Sequence, residues 1–375
     1  MNQLYFKPGS VYIILLFAAI LFGSIFIQHR LPAQDRPQAL IQIEEFIYDE
    51  APFPSCHAST VAETPNGIVA AWFGGTHEKN KDVEIWFSGR IKGNWTEPIS
   101  IANGIQHADK RYPCWNPVLF QVPGGPLQLY YKVGPDPREW WGEIKESNNM
   151  GISWTQARRL PEDIIGPVKN KPVLLSDGRL ICLSSTEQEG WRVHLEVTED
   201  FGKSWKIIGP LNDGKKINAI QPSLLTYPDE KFQILCRSKD NAIVTSWSED
   251  GGSQWTQMVS TTLPNPNSGT DAVTLSNGWQ LLVYNHQTKK GNQWGGKRSP
   301  LNISVSDNGH EWKALCELEN EKGEYSYPAV IQSSDGKVHI TYTWKREKIK
   351  YIVLDIAKTD FISQDVIKNG AWPDQ

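Results

Sequence analysis

Beyond residue 40 the apolar residues fall into short runs, each bounded by Gly, Asp, Asn or Pro. The stretch from Ile220 to Trp255 shows the unit most fully. A polar head, Gln221-Pro222, leads into an apolar strand from Ser223 to Tyr227, and a turn at Pro228-Asp229-Glu230 reverses the chain. A second strand, Phe232 to Cys236, ends in the polar tail Arg237-Ser238-Lys239. A third, Ala242 to Ser248, runs into a turn that closes on Trp255. Such β-rich runs with Gly, Asp and Pro punctuation predict an antiparallel meander. The head and strand recur at Cys56-His57-Ala58-Ser59, Trp115-Asn116-Pro117-Val118, Asn170-Lys171-Pro172-Val173, Thr270-Asp271-Ala272-Val273 and Tyr327-Pro328-Ala329-Val330. With Gln221 that makes six units, spaced at roughly 50 to 60 residues, the range of propeller blades. The expected fold is an all-β, six-bladed β-propeller over residues 40–360.

In a hairpin, the start of the first strand and the end of the second share one edge. All heads therefore converge on one face with all tails: Phe73-Gly74-Gly75, Tyr131-Lys132, Ser184 to Glu187, Arg237, Asn285-His286 and Trp344-Lys345-Arg346. Polar strand ends meeting water would explain one blade. Six blades carrying His, Asn, Lys, Gln, Asp, Tyr, Glu and Arg together predict a ligand-binding mouth. The last repeat ends with Lys350 to Ile356 and lacks a fourth strand. Ile41 to Tyr48 alternates like a strand and is expected to supply it, closing the ring and removing a sheet edge.

The N-terminus changes the picture. Val11 to Ile27 is an unbroken apolar run without a polar face, expected as a helical signal anchor within residues 1–30 rather than a buried helix. A Pro/Gln-rich linker covers 31–39, and 361–375 form a C-terminal tail. This places the propeller outside the cytoplasm, anchored to a membrane or secreted into the periplasm or extracellular space. The formal charge of −4 predicts no nucleic-acid partner. The five cysteines have no CxxC or zinc-like spacing, so no metal or other cofactor is expected. They read as buried thiols, with a Cys56–Cys114 pair at two blade heads as the alternative.

The turn pattern Ser/Thr-x-Asp-x-Gly-x-x-Trp is complete at Thr198 to Trp205 and Ser248 to Trp255. Asp307-Asn308-Gly309 to Trp312 keeps Asp, Gly and Trp. Ser147 to Trp154 has Asn149 for Asp, and Ser88 to Trp95 has lost the Asp. Asp or Asn accepts backbone N–H bonds across such a turn, Gly takes positive φ, and Trp packs between sheets. These turns resemble the Asp-boxes, or BNR repeats, of sialidases. The chain is identified as resembling a sialidase-like branch, usually labelled exo-α-sialidase, that also carries Cys114-Trp115-Asn116-Pro117, Gly166 to Pro172 and Pro264-Asn265-Pro266-Asn267-Ser268-Gly269.

The resemblance implies a site of three arginines for a carboxylate, an Asp acid/base, and a Tyr nucleophile backed by Glu. Here His57 stands at the first arginine and Gln221 at the Glu. Arg237 and Arg298 match the other arginines, and Asp82 the acid. Tyr325 matches the nucleophile, with Tyr327 as its rival. Lys171, Asn116, Asp271 and His286 are further mouth candidates for substrate. Because Gln221 cannot take a proton, Glu187 or Glu324 is the expected base for the tyrosine. A Tyr nucleophile suits an anomeric centre that already bears a carboxylate. The expected activity is exo-acting hydrolysis of a terminal acidic sugar from a glycan. The alternatives are a lyase acting on a uronic-acid glycan and a non-catalytic carbohydrate-binding propeller.

Overall fold

The computed structural model describes residues 40–373 except 292. The apolar segment at 11–27 and the linker at 31–39 lie outside the described residues. Among the described residues there is no helix, and none long and apolar enough to cross a membrane.

Six antiparallel sheets follow the six repeats. In blade 4 the strands are Ala219–Thr226, Phe232–Ser238, Ala242–Ser248 and Val259–Pro264, paired in chain order. Blade 6 departs from that order. Its strands Tyr325–Gln332, Val338–Trp344 and Lys348–Leu354 are completed by Ile41–Phe46, which pairs antiparallel with Lys348–Leu354. The N-terminal strand closes the ring as the sequence predicts. Glu45 on it accepts bonds from Arg90 Nε and Trp95 Nε1, both 2.9 Å, so blade 1 holds the closing strand of blade 6.

The apolar strand faces have nowhere to hide except against the next blade. The core is accordingly divided among the blade interfaces: Leu281, Val283 and Ile303 meet Val330, Ile340 and Tyr342 between blades 5 and 6. Ile181, Leu183 and Leu195 meet Leu224, Ile234 and Val244 between blades 3 and 4. Each turn Trp reaches back to the preceding blade: Trp154 to Phe87, Trp205 to Tyr130, and Trp312 into the cluster of Leu225 and Leu235. In these turns Asp200 Oδ1 accepts the amides of Lys203 (3.0 Å) and Ser204 (2.8 Å), and Gly202 and Gly252 hold φ of 96° and 88°. Blade 5 corrects the sequence alignment. Asn308, one residue after Asp307, accepts the amides of His310 and Glu311, both at 2.8 Å. Asn308 stands two residues after Ser306, as Asp200 does after Thr198, and the residue this shorter loop lacks falls before Gly309.

All five cysteines are buried and free, so Cys56 and Cys114 are not paired. The C-terminal residues pack rather than trail: Phe361 joins the interface of blades 5 and 6, and Ile367 and Trp372 that of blades 4 and 5.

Candidate active site

The inner strands break their pairing register at the mouth. Shifts fall between Ile220 and Ser223, Ser326 and Ala329, and His57 and Thr60. At these points Gln221, Tyr327 and Ala58 take φ of 57°, 54° and 55°. A bulge of this kind re-aims a side chain, and left-handed backbone at non-glycine residues persists where surrounding structure enforces it. Gln221 and Tyr327 meet as a result: Gln221 Nε2 donates to the Tyr327 hydroxyl at 3.2 Å.

Arg237 closes this group from the end of Phe232–Ser238, where it pairs with Ile220. It is 2% exposed. Its Nη1 donates to the Tyr327 hydroxyl at 2.7 Å and to Gln221 Oε1 at 3.3 Å, and its Nε to Asn267 Oδ1 at 2.8 Å. Arg298, half-buried, donates Nη1 to the carbonyl of the same Asn267 at 2.6 Å. Asn267 thus ties both guanidinium groups together. Trp191 and Trp294 flank Arg237, their ring centres 5.2 and 5.4 Å from its Cζ. Among the described residues neither arginine has a carboxylate within ion-pair distance. Burial, and then the neighbouring Arg237, pull the Arg298 guanidinium down to about 10.

Two further groups lie against Tyr327. The His57 ring centre is 4.1 Å from that of Tyr327, and its Nδ1 lies 2.9 Å from Thr343 Oγ1. Burial, then Arg346, Arg298, Arg237 and Lys169, push the His57 imidazole well below its ordinary range, so it stays neutral and adds no charge to the mouth. Lys169 is the second, and it is buried. Its Nζ lies 5.9 Å from the Tyr327 ring centre and donates to Asn170 Oδ1 (2.7 Å) and to the carbonyls of Thr270 (2.8 Å) and Pro328 (2.5 Å). Burial pulls the Lys169 ammonium down to about 7.

The other expected residues lie elsewhere. Tyr325 is 1% exposed and packs in the core of blades 5 and 6. Strand alternation explains this: two positions from Tyr327 would share its face, but the bulge between them breaks the alternation. Lys171 and Asp271 pair at 3.1 Å, and Asp271 also accepts from Ser223 Oγ and the Val330 amide, both at 2.9 Å. They bind neighbouring blades to one another. His286 lies against Tyr284, with Nε2 2.9 Å from the Gly370 carbonyl, under the C-terminal segment. Asn116 is buried at the left-handed step of the blade 2 head, with φ of 35°. Asp82 is exposed; its Oδ2 accepts the Thr76 amide (2.8 Å) and hydroxyl (2.6 Å). Slight burial opposes the shift, but those Thr76 bonds hold the Asp82 carboxyl below its usual range. Glu187 does reach the mouth, where its Oε2 accepts Trp191 Nε1 at 2.9 Å. Glu324 Oε1 accepts Arg346 Nε at 2.7 Å, and Arg346 Nη1 also pairs with Glu78 at 2.7 Å.

Lys169, Asn267, Trp191, Trp294 and Arg346 belong to the mouth without having been singled out as ligand groups. Lys169 and Asn267 sit inside two of the three quoted motifs, Gly166 to Pro172 and Pro264 to Gly269, which was the available signal. The two tryptophans come from loops, and their proximity to Arg237 is set by folding alone.

The repeats, the turns and the ring have a counterpart among known families: residues 66–340 match the BNR repeat-like domain. The chain belongs to the BNR repeat-like domain family. Among solved structures, this BNR repeat-like propeller is similar to a protein of unknown function from Dyadobacter fermentans. The TM-score is 0.67 at 17% identity, over 85% of this chain and 99% of that one. It is also similar to the intramolecular trans-sialidase from Ruminococcus gnavus, with TM-score 0.65 and 14% identity over 84% of this chain and 97% of that one. The NanB sialidase from Streptococcus pneumoniae gives TM-score 0.61 and 14% identity over 84% and 70%. At these identities the likeness is one of fold, the sialidase-like six-bladed propeller. No curated protein sequence matches the chain.

Proposed function

We propose that this BNR repeat-like propeller is a glycoside hydrolase that releases a terminal carboxylate-bearing sugar from a glycan. One observation carries the reading. Arg237 and Arg298 are joined through Asn267 and lack a carboxylate partner among the described residues, and Arg237 donates to the hydroxyl of Tyr327. Charge held out of water without a counter-ion is costly, and arginine forks match a carboxylate in shape. A sugar carboxylate bound there lies next to the phenol that would attack the anomeric carbon. Tyr327, not Tyr325, has the position for that role. The solved relatives named as sialidases support the same class of substrate.

The test is a panel of aryl glycosides of sialic, ketodeoxy and uronic acids, with wild type, Tyr327→Phe and Arg237→Met. Wild type should release a reducing acidic sugar. Tyr327→Phe should lose about 10²–10⁴-fold in turnover, the scale on which a reacting side chain contributes. A fully active Tyr327→Phe variant, or turnover of neutral glycosides only, refutes the assignment.

Gln221 favours a second reading. Its amide donates to Tyr327 and cannot accept a proton, which a β-eliminating lyase on a uronic-acid glycan would tolerate. An unsaturated uronate absorbing in the ultraviolet, in place of a saturated reducing sugar, would decide for the lyase.

A further inference from the structure

A hydrolase with Tyr327 as its reacting group needs a second group that gives the leaving oxygen a proton. The carboxylates around the mouth differ sharply in how they are held. Glu78 and Glu324 are both taken by Arg346, and Asp271 by Lys171. Asp82 is fixed by Thr76 on an exposed loop. Glu187 is held by a single neutral donor, the Trp191 indole, through one oxygen, where Asp82 takes two bonds from Thr76. Its position follows from the strand beneath it. Ser185 Oγ accepts the Gln221 amide at 3.2 Å, and Gln221 bonds Tyr327. Glu187 stands two residues beyond Ser185, just past the end of Leu180–Thr186, about 7 Å further along the chain. Trp191 connects it to Arg237 from the other side.

We propose that Glu187 is the proton donor and acceptor of this site, supplied by blade 3 rather than by the blade 1 loop that carries Asp82. The role rests on the hydrolase reading above. In the first step the Tyr327 oxygen bonds to the anomeric carbon and the bond to the leaving oxygen breaks, its electron pair staying on that oxygen. The Glu187 proton goes to the leaving oxygen, and the phenolic proton passes to water at the open mouth. In the second step water attacks the anomeric carbon and gives a proton to the Glu187 carboxylate. The bond to Tyr327 breaks, and its oxygen regains a proton from solvent.

The charged groups facing Glu187 are Arg237 and Lys239 of blade 4 and Asp136 of the blade 2 loop. Burial pushes its carboxyl above the ordinary value, with Arg237 opposing. An acid kept protonated to higher pH suits proton donation.

The experiment compares Glu187→Gln and Asp82→Asn, each on a sugar-linked acidic glycan and on a nitrophenyl glycoside of the same sugar. The nitrophenolate leaves without a proton. Glu187→Gln keeps the side chain's shape, and should lose about 10²–10⁴-fold on the glycan. On the nitrophenyl glycoside kcat/KM should fall under about 10-fold while kcat falls further, because the second step has lost its base; the alkaline limb that Glu187 gives the wild-type kcat/KM profile on the glycan should be absent from the variant. Equal losses in kcat/KM on both substrates, or the selective loss appearing in Asp82→Asn, would overturn the role while leaving the hydrolase reading intact. A wild type that releases no acidic sugar from either substrate overturns the hydrolase reading and this role with it.

Discussion

An imidazole buried among guanidinium groups is the most exacting feature of the site at the residue scale. His57 touches Tyr327 and is held neutral by burial and by Arg346, Arg298 and Arg237. His286 and His339, also buried, are both pulled down to about 4 by burial. The sign of the resulting pH dependence is fixed. Below pH 6.5 the unfolded chain binds protons at these three histidines that the fold refuses, so stability falls as pH drops from about 6.5 toward 4. Each histidine contributes a slope of at most about 1.4 kcal/mol per pH unit. Urea unfolding of His286→Gln at stepped pH should show a shallower acid loss than wild type; an unchanged slope would exclude His286. From sequence, His57 and Arg237 were legible as mouth residues because strand ends are easily placed. The charge state of His57 was not, since it depends on Arg346, Arg298, Arg237 and Lys169 from other blades and loops.

At the scale of the element, the repeat of hairpin and turn was readable almost throughout, because each turn bonds itself. Asp200 and Asn149 both accept the amides of their own loop, and neither needs anything distant. The exception is blade 5, where the residue missing before Gly309 hides that Asn308, two residues after Ser306, is the acceptor in place of Asp307. Asn308→Ala should destabilise by about 1–2 kcal/mol, as two amides lose their acceptor. Asp307→Ala should change stability by under about 0.5 kcal/mol. Thermal unfolding of the pair checks this, and the reverse order would restore the alignment made on Asp307. The bulges were not legible. Nothing in Glu324-Tyr325-Ser326-Tyr327 tells which tyrosine faces the mouth, because the register shift after Ser326 decides it.

At the scale of the whole molecule, Ile41–Phe46 is what turns six hairpin units into a ring. Removing residues through Phe46 would leave Lys348–Leu354 as an unpaired apolar edge and strip Arg90 and Trp95 of Glu45. Such edges invite pairing between chains. The truncated protein should therefore self-associate and lose cooperative unfolding, as judged by size exclusion and calorimetry. A monomeric truncation with the wild-type midpoint would show that closure is dispensable. The sequence by itself determined the number of blades, the closing strand, and the face on which polar ends gather. These follow from local alternation and from turns that satisfy themselves. Only the tertiary structure decided which of those polar groups meet. Tyr327 rather than Tyr325 faces Arg237, Lys171 is spent on Asp271, and Asn267 links two arginines. Contacts between blades depend on bulges and loop paths that balance small energies across distant segments, and no local pattern encodes that balance.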